Sequence, residues 1–261
     1  MHTQTLFGVI LGLSLFLGIP ARLGAATTYY NFQQYSGNGV AGPIGTGSIQ
    51  FSNNSTTVKG NIIKGIGTFT DNLVIYIDTT PGGFTSTTPL LDKNTILEIA
   101  ISGNNVNHSV INFAPGFDAD YAIVLGINNG SAIYKLVNDS TGPHLEQVRL
   151  LTLGNADNGN NSSFNFQFDW TDLGLPSRNT NFFKFESSYI TSTGSRNGQS
   201  YEDFTGSFPF RDITFTNYDT YGVPPVPENT NVALAVFGGL VLTFGVGKRV
   251  RCYRKFKRSS P

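Results

Sequence analysis

Cysteine is almost absent from this 261-residue chain: the one cysteine, Cys252, lies in a basic segment near the C-terminal end. The body of the chain therefore forms neither a disulfide nor a thiolate metal site. Histidine is also scarce, with His108 and His144 as the two in the body. No Gly-x-Ser-x-Gly turn and no glycine-rich phosphate loop is present, so nothing in the sequence favours a catalytic triad or nucleotide binding.

Long apolar runs are missing everywhere except near the two ends. Leu6–Ile19 is apolar and is followed by Gly24-Ala25-Ala26, which predicts a secretory signal peptide, residues 1–26, cleaved between Ala26 and Thr27. A second uncharged run, Val232–Gly247, predicts a transmembrane helix, although it is somewhat short of the ~20 residues that span a bilayer. The tail that follows, residues 248–261, is expected to stay in the cytoplasm because of its cations: Lys248, Arg249, Arg251, Arg254, Lys255, Lys257 and Arg258.

The order of motifs in this C-terminal region resembles a bacterial sorting signal. Val226-Pro227-Glu228, an apolar run and a basic cluster are similar to the PEP-CTERM signal, with Asn229 where a second proline is usual. The resemblance implies export through the Sec translocon and processing by an exosortase, a membrane transpeptidase of Gram-negative bacteria. It also implies a membrane-anchored precursor that ends at the cell surface or in the extracellular matrix. A permanent anchor remains the alternative.

The formal charge of zero hides an uneven distribution of charge. One basic residue lies in the leader and seven in the tail, so residues 27–223 keep nine basic and 16 acidic residues, a charge of −7. Nucleic acids and anionic membranes are recognised through basic patches. An acidic body rich in Asn, Ser, Thr and Gly therefore argues against both partners.

Alternation with a period of two predicts that the body is all-β. Ser163–Trp170 alternates aromatic with polar residues, so Trp170 is expected to continue a buried stripe of phenylalanines. Thr171–Leu175 is the one candidate for a helical turn in the body. The further strands that we predict are 27–35, 46–52, 57–64, 73–78, 96–102, 121–127, 132–137, 147–153, 182–189 and 211–217.

Short strands separated by Gly- and Asn-rich turns predict one antiparallel β-sandwich over residues 27–218. Residues 219–231 are expected to form a Pro-rich linker that carries the sorting motif. Two motifs in the body, Tyr76–Phe84 and Gly116–Ala122, are similar to those of exported jelly-roll modules of the carbohydrate-binding or DOMON-like kind. This resemblance spans roughly residues 73–189 and implies a jelly-roll-like sandwich.

Three aspartates are candidates for a calcium site. Asp118 and Asp120 stand one residue apart at the entry to a predicted strand, and Asp78 ends another strand before a Pro-Gly-Gly turn. Carboxylate oxygens are the ligands that Ca²⁺ prefers. The competing interpretation is structural, with Asp118 capping backbone N–H groups of a turn, Asp120 solvated and Asp78 ending its strand. No other cofactor is predicted.

Sugar recognition is the other chemistry that the composition favours. Aromatic residues make up 13% of the chain, and exposed rings stack on sugar faces. The predicted surface candidates are Tyr29, Tyr30, Tyr35 and Tyr201, with Tyr218 and Tyr221 as further ones. A glycosidase would need two carboxylates, for which Glu98, Glu146, Glu186 and Glu202 are available, but a cross-strand ion pair or a solvated side chain is the commoner role.

The sequence is compatible with three functions. The first is a non-enzymatic, exported cell-envelope or extracellular-matrix protein whose C-terminal tail directs sorting. The second is a carbohydrate-binding module, with exopolysaccharide as the partner. The third is a glycoside-active enzyme on the same scaffold.

Overall fold

Antiparallel β-strands make up most of the body in the computed structural model, which describes residues 29–90, 95–103, 109–178, 180–191, 196, 198–206 and 212–222. The described strands are β1 (Tyr30–Ser36), β2 (Asn38–Gly39), β3 (Ser48–Asn53), β4 (Thr57–Ile63), β5 (Asn72–Asp78), β6 (Ile111–Asn112), β7 (Tyr121–Gly126), β8 (Ser131–Asp139), β9 (Gly142–Leu151), β10 (Ser163–Asp169), β11 (Phe182–Ile190), β12 (Gln199–Ser200), β13 (Phe204–Gly206), β14 (Ile213–Phe215) and β15 (Asp219–Gly222).

The larger sheet has six strands in the order β15-β11-β5-β7-β8-β9, and every pairing within it is antiparallel. Both faces of its centre are covered, because all residues of β5 and β7 are buried. Strands that are buried on both faces read as continuous apolar runs. The sequence of β5, NLVIYID, fits this rule.

A second sheet has four strands in the order β1-β3-β4-β10, again antiparallel throughout. Its strands alternate between buried and accessible residues, so one face is packed and the other is open. Strand β10 pairs with β4 although the two are about 100 residues apart in the chain.

The packed faces of these two sheets share one hydrophobic cluster. Phe51 of the four-stranded sheet lies 5.7 Å, between ring centroids, from Phe183 and 5.4 Å from Phe185, both of β11. Trp170 is fully buried in the same cluster, 6.1 Å from the ring of Phe183. The aromatic stripe predicted for Ser163–Trp170 is therefore confirmed as core, with its last ring in a short 3₁₀ helix, Trp170–Leu173.

A second hydrophobic cluster covers the other face of the six-stranded sheet. It includes Tyr76 and Val124 from the sheet, together with Ile101, Phe113 and Phe215 from segments that cross over it. These crossing segments contain a 3₁₀ helix, Thr88–Leu90, and a three-stranded sheet in the order β13-β14-β6, in which β14 and β6 run parallel. A two-stranded sheet joins β12 to β2. The six-stranded sheet is thus the middle layer of the described body.

The all-β prediction holds with one clear error. Residues Ile96–Ser102 were expected to form a strand but form a helix, α1. Thr95 and Glu98 form a capping box: the Glu98 N–H donates to Thr95 Oγ1 at 3.3 Å, and the Thr95 N–H donates to Glu98 Oε2 at 3.2 Å. This pair satisfies the N–H groups at the start of the helix. The Thr-x-x-Glu spacing was the sequence signal that the alternating isoleucines concealed.

The predicted boundary between body and linker is also wrong. Residues 219–222 were assigned to the linker, but they form β15, which pairs with β11 from Phe182↔Gly222 to Phe185↔Asp219. Tyr221 is fully buried there. The sheet therefore continues four residues past the predicted end of the body at residue 218, because Tyr221 fills the aromatic core.

Within the described ranges, no helix has both the length and the apolar character of a membrane span. The predicted signal peptide with its Ala26–Thr27 cleavage site, the sorting motif Val226-Pro227-Glu228, the apolar run Val232–Gly247 and the basic tail lie outside those ranges.

Candidate functional site

The open face of the four-stranded sheet is almost entirely polar. We call it the outer face, and the strand alternation assigns to it Gln34, Ser36, Ser48, Gln50, Ser52, Thr57, Lys59, Asn61, Ile63, Ser163, Asn165, Gln167 and Asp169. The residues between them point into the core, as the burial of Phe164, Phe166 and Phe168 shows. The fold thus exposes a polar surface on a rigid, packed support.

Four side-chain amides form a row across the outer face, one from each strand. Gln34 lies opposite Gln50, and Gln50 lies opposite Asn61. Asn61 in turn lies opposite Asn165. Because neighbouring strands are spaced about 4.8 Å apart, the row is ~14 Å long.

Hydrogen bonds within this row orient some amides and leave others available. Gln50 Nε2 donates to Gln34 Oε1 at 2.8 Å, and Asn61 Nδ2 donates to Gln50 Oε1 at 3.1 Å. The exposed side chains of Asn165 and Gln167 have no hydrogen bond to another residue in the described part of the chain. Each of these amides therefore offers two N–H donors and one carbonyl acceptor to a ligand.

Lys59 occupies the centre of the next row. It lies opposite Ser52 on one side and Gln167 on the other, and its side chain is exposed. The Lys59 Nζ atom is 3.9 Å from the centroid of the Tyr29 ring, a cation–π contact that holds the ammonium group against the sheet. Tyr29, one of the tyrosines predicted to bind a ligand, therefore contacts the outer face through Lys59.

A bulge in β1 places an aromatic ring beside these polar groups. The register between β1 and β3 shifts between Tyr30 and Gln33, and Asn31 adopts a left-handed φ of 53°. Asn31 Nδ2 donates to Asn53 Oδ1 at 3.1 Å, which fixes the bulge. Bulges redirect side chains. Phe32, at this bulge, is 65% exposed.

These residues surround a cleft of about 530 Å³ on the outer face. That volume falls within the range typical of small-molecule and sugar sites. Among its lining residues in the described ranges there is no aspartate, glutamate or histidine. The lining residues are Phe32, Gln50, Phe51, Ser52, Lys59, Gly60, Asn61, Thr152, Gly154, Asn165, Phe166 and Gln167.

Three of the other predicted tyrosines are placed less favourably for binding. Tyr201 and Tyr221 were expected at the surface, but they are 5% and 0% exposed and belong to the core, which corrects both expectations. Tyr35 is half-buried, and its hydroxyl donates to the Thr220 carbonyl at 2.6 Å. Tyr30, which was also predicted to bind a ligand, is the first residue of β1.

The three predicted calcium ligands surround one turn after β5, away from the outer face. Asp78 Oδ2 lies 2.8 Å from Lys184 Nζ and accepts the Asp118 N–H at 3.3 Å. Burial raises the pKa of Asp78, and Lys184 opposes that rise. Asp120 Oδ2 accepts backbone N–H groups of Thr79 and Thr80, each at 2.9 Å. Asp120, expected to be solvated, is therefore the residue that caps the turn.

Lys184 occupies the position that a cation would need at this turn. In the part of the chain that the structure describes, no three His, Cys, Asp or Glu side chains form a group suited to a metal ion. The calcium site stays a prediction, in which Ca²⁺ would have to displace the Lys184 ammonium group from Asp78.

None of the four glutamates that could have supplied a glycosidase pair lines the cleft. Glu186 and Glu202 are 0% and 3% exposed, and burial raises the pKa of Glu186 to about 8 and that of Glu202 well above its usual range. Glu98 belongs to the capping box of α1, and Glu146 is exposed beside His144, 3.4 Å from its Nε2. The geometry therefore brings no pair of them to the cleft.

Comparison of the chain with protein-family models, with curated proteins and with solved structures finds no match in any of the three. The interpretation of the outer face therefore depends on its own geometry and chemistry.

Sequence reasoning missed most of this site. The residues that it did not single out are Phe32, Gln34, Gln50, Lys59, Asn61, Asn165 and Gln167. A signal was present, because each of the four strands alternates core residues with amide or hydroxyl side chains. Alternation alone does not indicate which strands are neighbours. The pairing of β10 with β4 is what aligns amides from distant parts of the chain in one row.

Proposed function

We propose that the body binds a polysaccharide on the outer face of the four-stranded sheet. The observation that carries the proposal is the amide-lined cleft of about 530 Å³ with an exposed aromatic ring at its edge. We further propose that the two larger sheets form a jelly-roll-like sandwich, since their packed faces share one aromatic cluster. The binding site is then the open face of one sheet of the sandwich.

The chemistry of the cleft matches that of a sugar chain. Each sugar hydroxyl is both a donor and an acceptor, and so is each carboxamide. The free amides of Asn165 and Gln167 supply both functions without first breaking an internal hydrogen bond. Phe32 offers an apolar surface on which the C–H face of a sugar ring can pack. Aromatic side chains are common at binding sites that are partly apolar and partly hydrated. An extended row of ~14 Å suits a chain better than a single sugar.

The role that we propose is binding without hydrolysis. Glycosidases of the usual kind place two carboxyl groups on either side of the bond that is cut. The described lining of the cleft contributes Lys59 as its charged side chain and no carboxylate. Polysaccharide binding is therefore favoured over the glycoside-active alternative.

The setting that we propose for this activity is the cell envelope or the extracellular matrix. The predicted signal peptide and the PEP-CTERM-like tail support export followed by exosortase processing, with an exopolysaccharide as the ligand. Intact-mass measurement of the protein from its native host tests this part. We expect a chain that begins at Thr27 and has lost its basic tail; a mass equal to that of the unprocessed chain would contradict the sorting proposal.

Affinity electrophoresis of the full-length protein in gels that contain plant, algal or bacterial polysaccharides tests the binding itself. We expect retardation by at least one polymer. The affinity should fall about thirtyfold in the Asn165→Ala/Gln167→Ala double variant, because each of the two amide hydrogen bonds contributes ~1 kcal/mol. Gln147→Ala, an exposed glutamine on β9, is the matched control and should bind like the wild type. Equal losses in both variants, or no retardation by any polymer, would contradict the proposal.

A further inference from the structure

The charges on the outer face differ from those of the body as a whole. The body carries a formal charge of −7, yet the outer face holds two charged side chains, Lys59 and Asp169. Asp169 shares Arg149 with Asp172: the Arg149 Nη1 atom lies 3.1 Å from Asp169 Oδ2 and 2.8 Å from Asp172 Oδ2, so these three side chains together keep one negative charge. None of these three side chains lines the cleft, and the charged side chain among its described lining residues is Lys59.

Several other cations of the described body make internal contacts, whereas Lys135 is exposed on β8 and does not line the cleft. Lys184 pairs with Asp78 at 2.8 Å, Arg196 donates to the Ser109 carbonyl at 2.8 Å, and Lys64 donates to glycine carbonyls. Lys59 has no carboxylate within 4.0 Å among the described residues, and its recorded contact is with the Tyr29 ring. A cation–π contact orients an ammonium group but leaves its charge uncompensated. Lys59 thus presents an oriented positive charge to the contents of the cleft.

The neighbours of this ammonium group are the groups that would bind the rest of a sugar. Gln167 and Ser52 lie directly opposite Lys59 on the two adjacent strands, and Asn61 is two residues along the same face. Residues two apart on a strand are separated by about 7 Å. An anionic group at Lys59 would therefore leave the hydroxyls of the same and the next sugar within reach of the amides.

We infer that the polysaccharide is anionic, with a sugar carboxylate such as that of a uronic acid paired with Lys59. This inference rests on the proposed polysaccharide binding and adds the class of sugar. A neutral ligand would leave the ammonium group unpaired beside it, whereas a uronate gains a charge-assisted hydrogen bond. The acidic body does not prevent such binding, because its repulsion is screened beyond ~8 Å at physiological salt.

The test compares binding of polygalacturonate with binding of its methyl ester, which has the same backbone without the charge. Alginate provides a second uronate polymer, and xylan and cellulose provide neutral ones. Affinities are measured with the full-length protein in wild type, Lys59→Gln and Lys135→Gln. Lys135 is the matched control, since it is an exposed lysine on β8 that does not line the cleft.

We expect a uronate polymer to bind about tenfold more tightly than the neutral polymers, and Lys59→Gln to remove that preference while Lys135→Gln keeps it. Binding to the methyl ester as tight as to the free acid, or equal losses in the two variants, would overturn the inference. Binding to neutral polymers alone would overturn the inference and leave the proposed function intact. Binding to none of the polymers would overturn both.

Discussion

The outer face of the four-stranded sheet and the centre of the six-stranded sheet differ in whether their polar side chains are exposed or buried. On the outer face of the four-stranded sheet, Asn165 and Gln167 are exposed and free of hydrogen bonds to other described residues. In the centre of the six-stranded sheet, polar groups lie inside the protein: Glu186 of β11 is 0% exposed, and its Oε1 atom accepts the Ala114 N–H at 2.9 Å. Arg196, 2% exposed, donates to Tyr76 Oη at 3.1 Å and to two carbonyls.

This contrast separates stability from recognition. A buried polar group that lacks water must find its partners inside the protein, so it contributes to the uniqueness of the fold and is unavailable to a ligand. An exposed amide costs the fold little and keeps its donors and acceptors for a partner. We therefore expect substitutions of buried residues in the centre of the six-stranded layer to change the free energy of unfolding, and substitutions of exposed residues that line the cleft to change binding.

The largest expected effect is at the junction of the two sheets. Phe183→Ala removes a fully buried ring that contacts Phe51, Trp170 and Tyr221. We expect the free energy of unfolding to fall by about 3–5 kcal/mol, measured by urea denaturation. Phe32→Ala is the matched control at the outer face, and we expect a change within ~0.5 kcal/mol because that ring is 65% exposed. A similar loss of unfolding free energy in the two variants would contradict the proposed difference between the two sheets.

Buried Glu186 predicts an unusual dependence of stability on pH. Burial raises its pKa from 4.5 to about 8, so between these pH values the folded state holds a proton that the unfolded state has released. Its contribution to stability is complete below pH 4.5 and is lost as the pH rises towards 8. From pH 5 to pH 8 we expect the free energy of unfolding to fall by ~3 kcal/mol more in the wild type than in Glu186→Gln.

The control for this pH experiment is Asp157→Asn, which changes an exposed carboxyl group between β9 and β10. Its stability should follow the wild type across the same pH range. A Glu186→Gln protein whose stability falls as steeply as that of the wild type would show that Glu186 is not held protonated.

Gly60 connects the core with the floor of the cleft, so its substitution is expected to affect both properties. A Cβ atom at Gly60 would lie 2.1 Å from Cζ of Phe166, so the ring must move. We expect Gly60→Ala to lower the free energy of unfolding by ~1–3 kcal/mol and to weaken polysaccharide binding. Ser140→Ala, at an exposed residue of the turn between β8 and β9, should leave both unchanged. Normal polysaccharide binding by Gly60→Ala would mean that a shift of the Phe166 ring does not disturb the residues that line the cleft.

The smallest expected effect concerns the helix that covers part of the six-stranded sheet. Thr95→Ala removes the side chain that accepts the Glu98 N–H at the start of α1. We expect a loss of about 1 kcal/mol in the free energy of unfolding, with binding unchanged. Thr95→Ser, which keeps the hydroxyl, should restore most of the stability. A serine variant as unstable as the alanine variant would argue against the capping box.

Strand positions were largely predictable because a sheet with one open face leaves a period of two in the sequence, as in Ser163–Asp169. Helix α1 was not predicted because Leu97, Ile99 and Ile101 alternate as in a strand, whereas the local cap at Thr95 favours a helix. The end of the body was misplaced because β15 is short, and its assignment depends on burial of Tyr221 against distant residues.

The candidate site was harder to predict than the strands. Tyrosines were predicted to bind the ligand because aromatic rings often stack on sugars, yet Tyr201 and Tyr221 are buried in the core. What assembles the outer face is the pairing of β4 with β10 across a long stretch of chain. Such pairing depends on tertiary packing, which periodicity within one segment does not encode.

The position of β15 determines where the body can be released from whatever follows it. The first strand holds the last one, since Tyr35 donates to the Thr220 carbonyl and the Gly222 N–H donates to Gln33 Oε1 at 2.9 Å. A protease that cuts at residue 218 would detach Tyr221 from the aromatic core and open the edge of the six-stranded sheet. A cut after Gly222 would leave every described strand in place. Shedding an intact body therefore requires cleavage beyond residue 222.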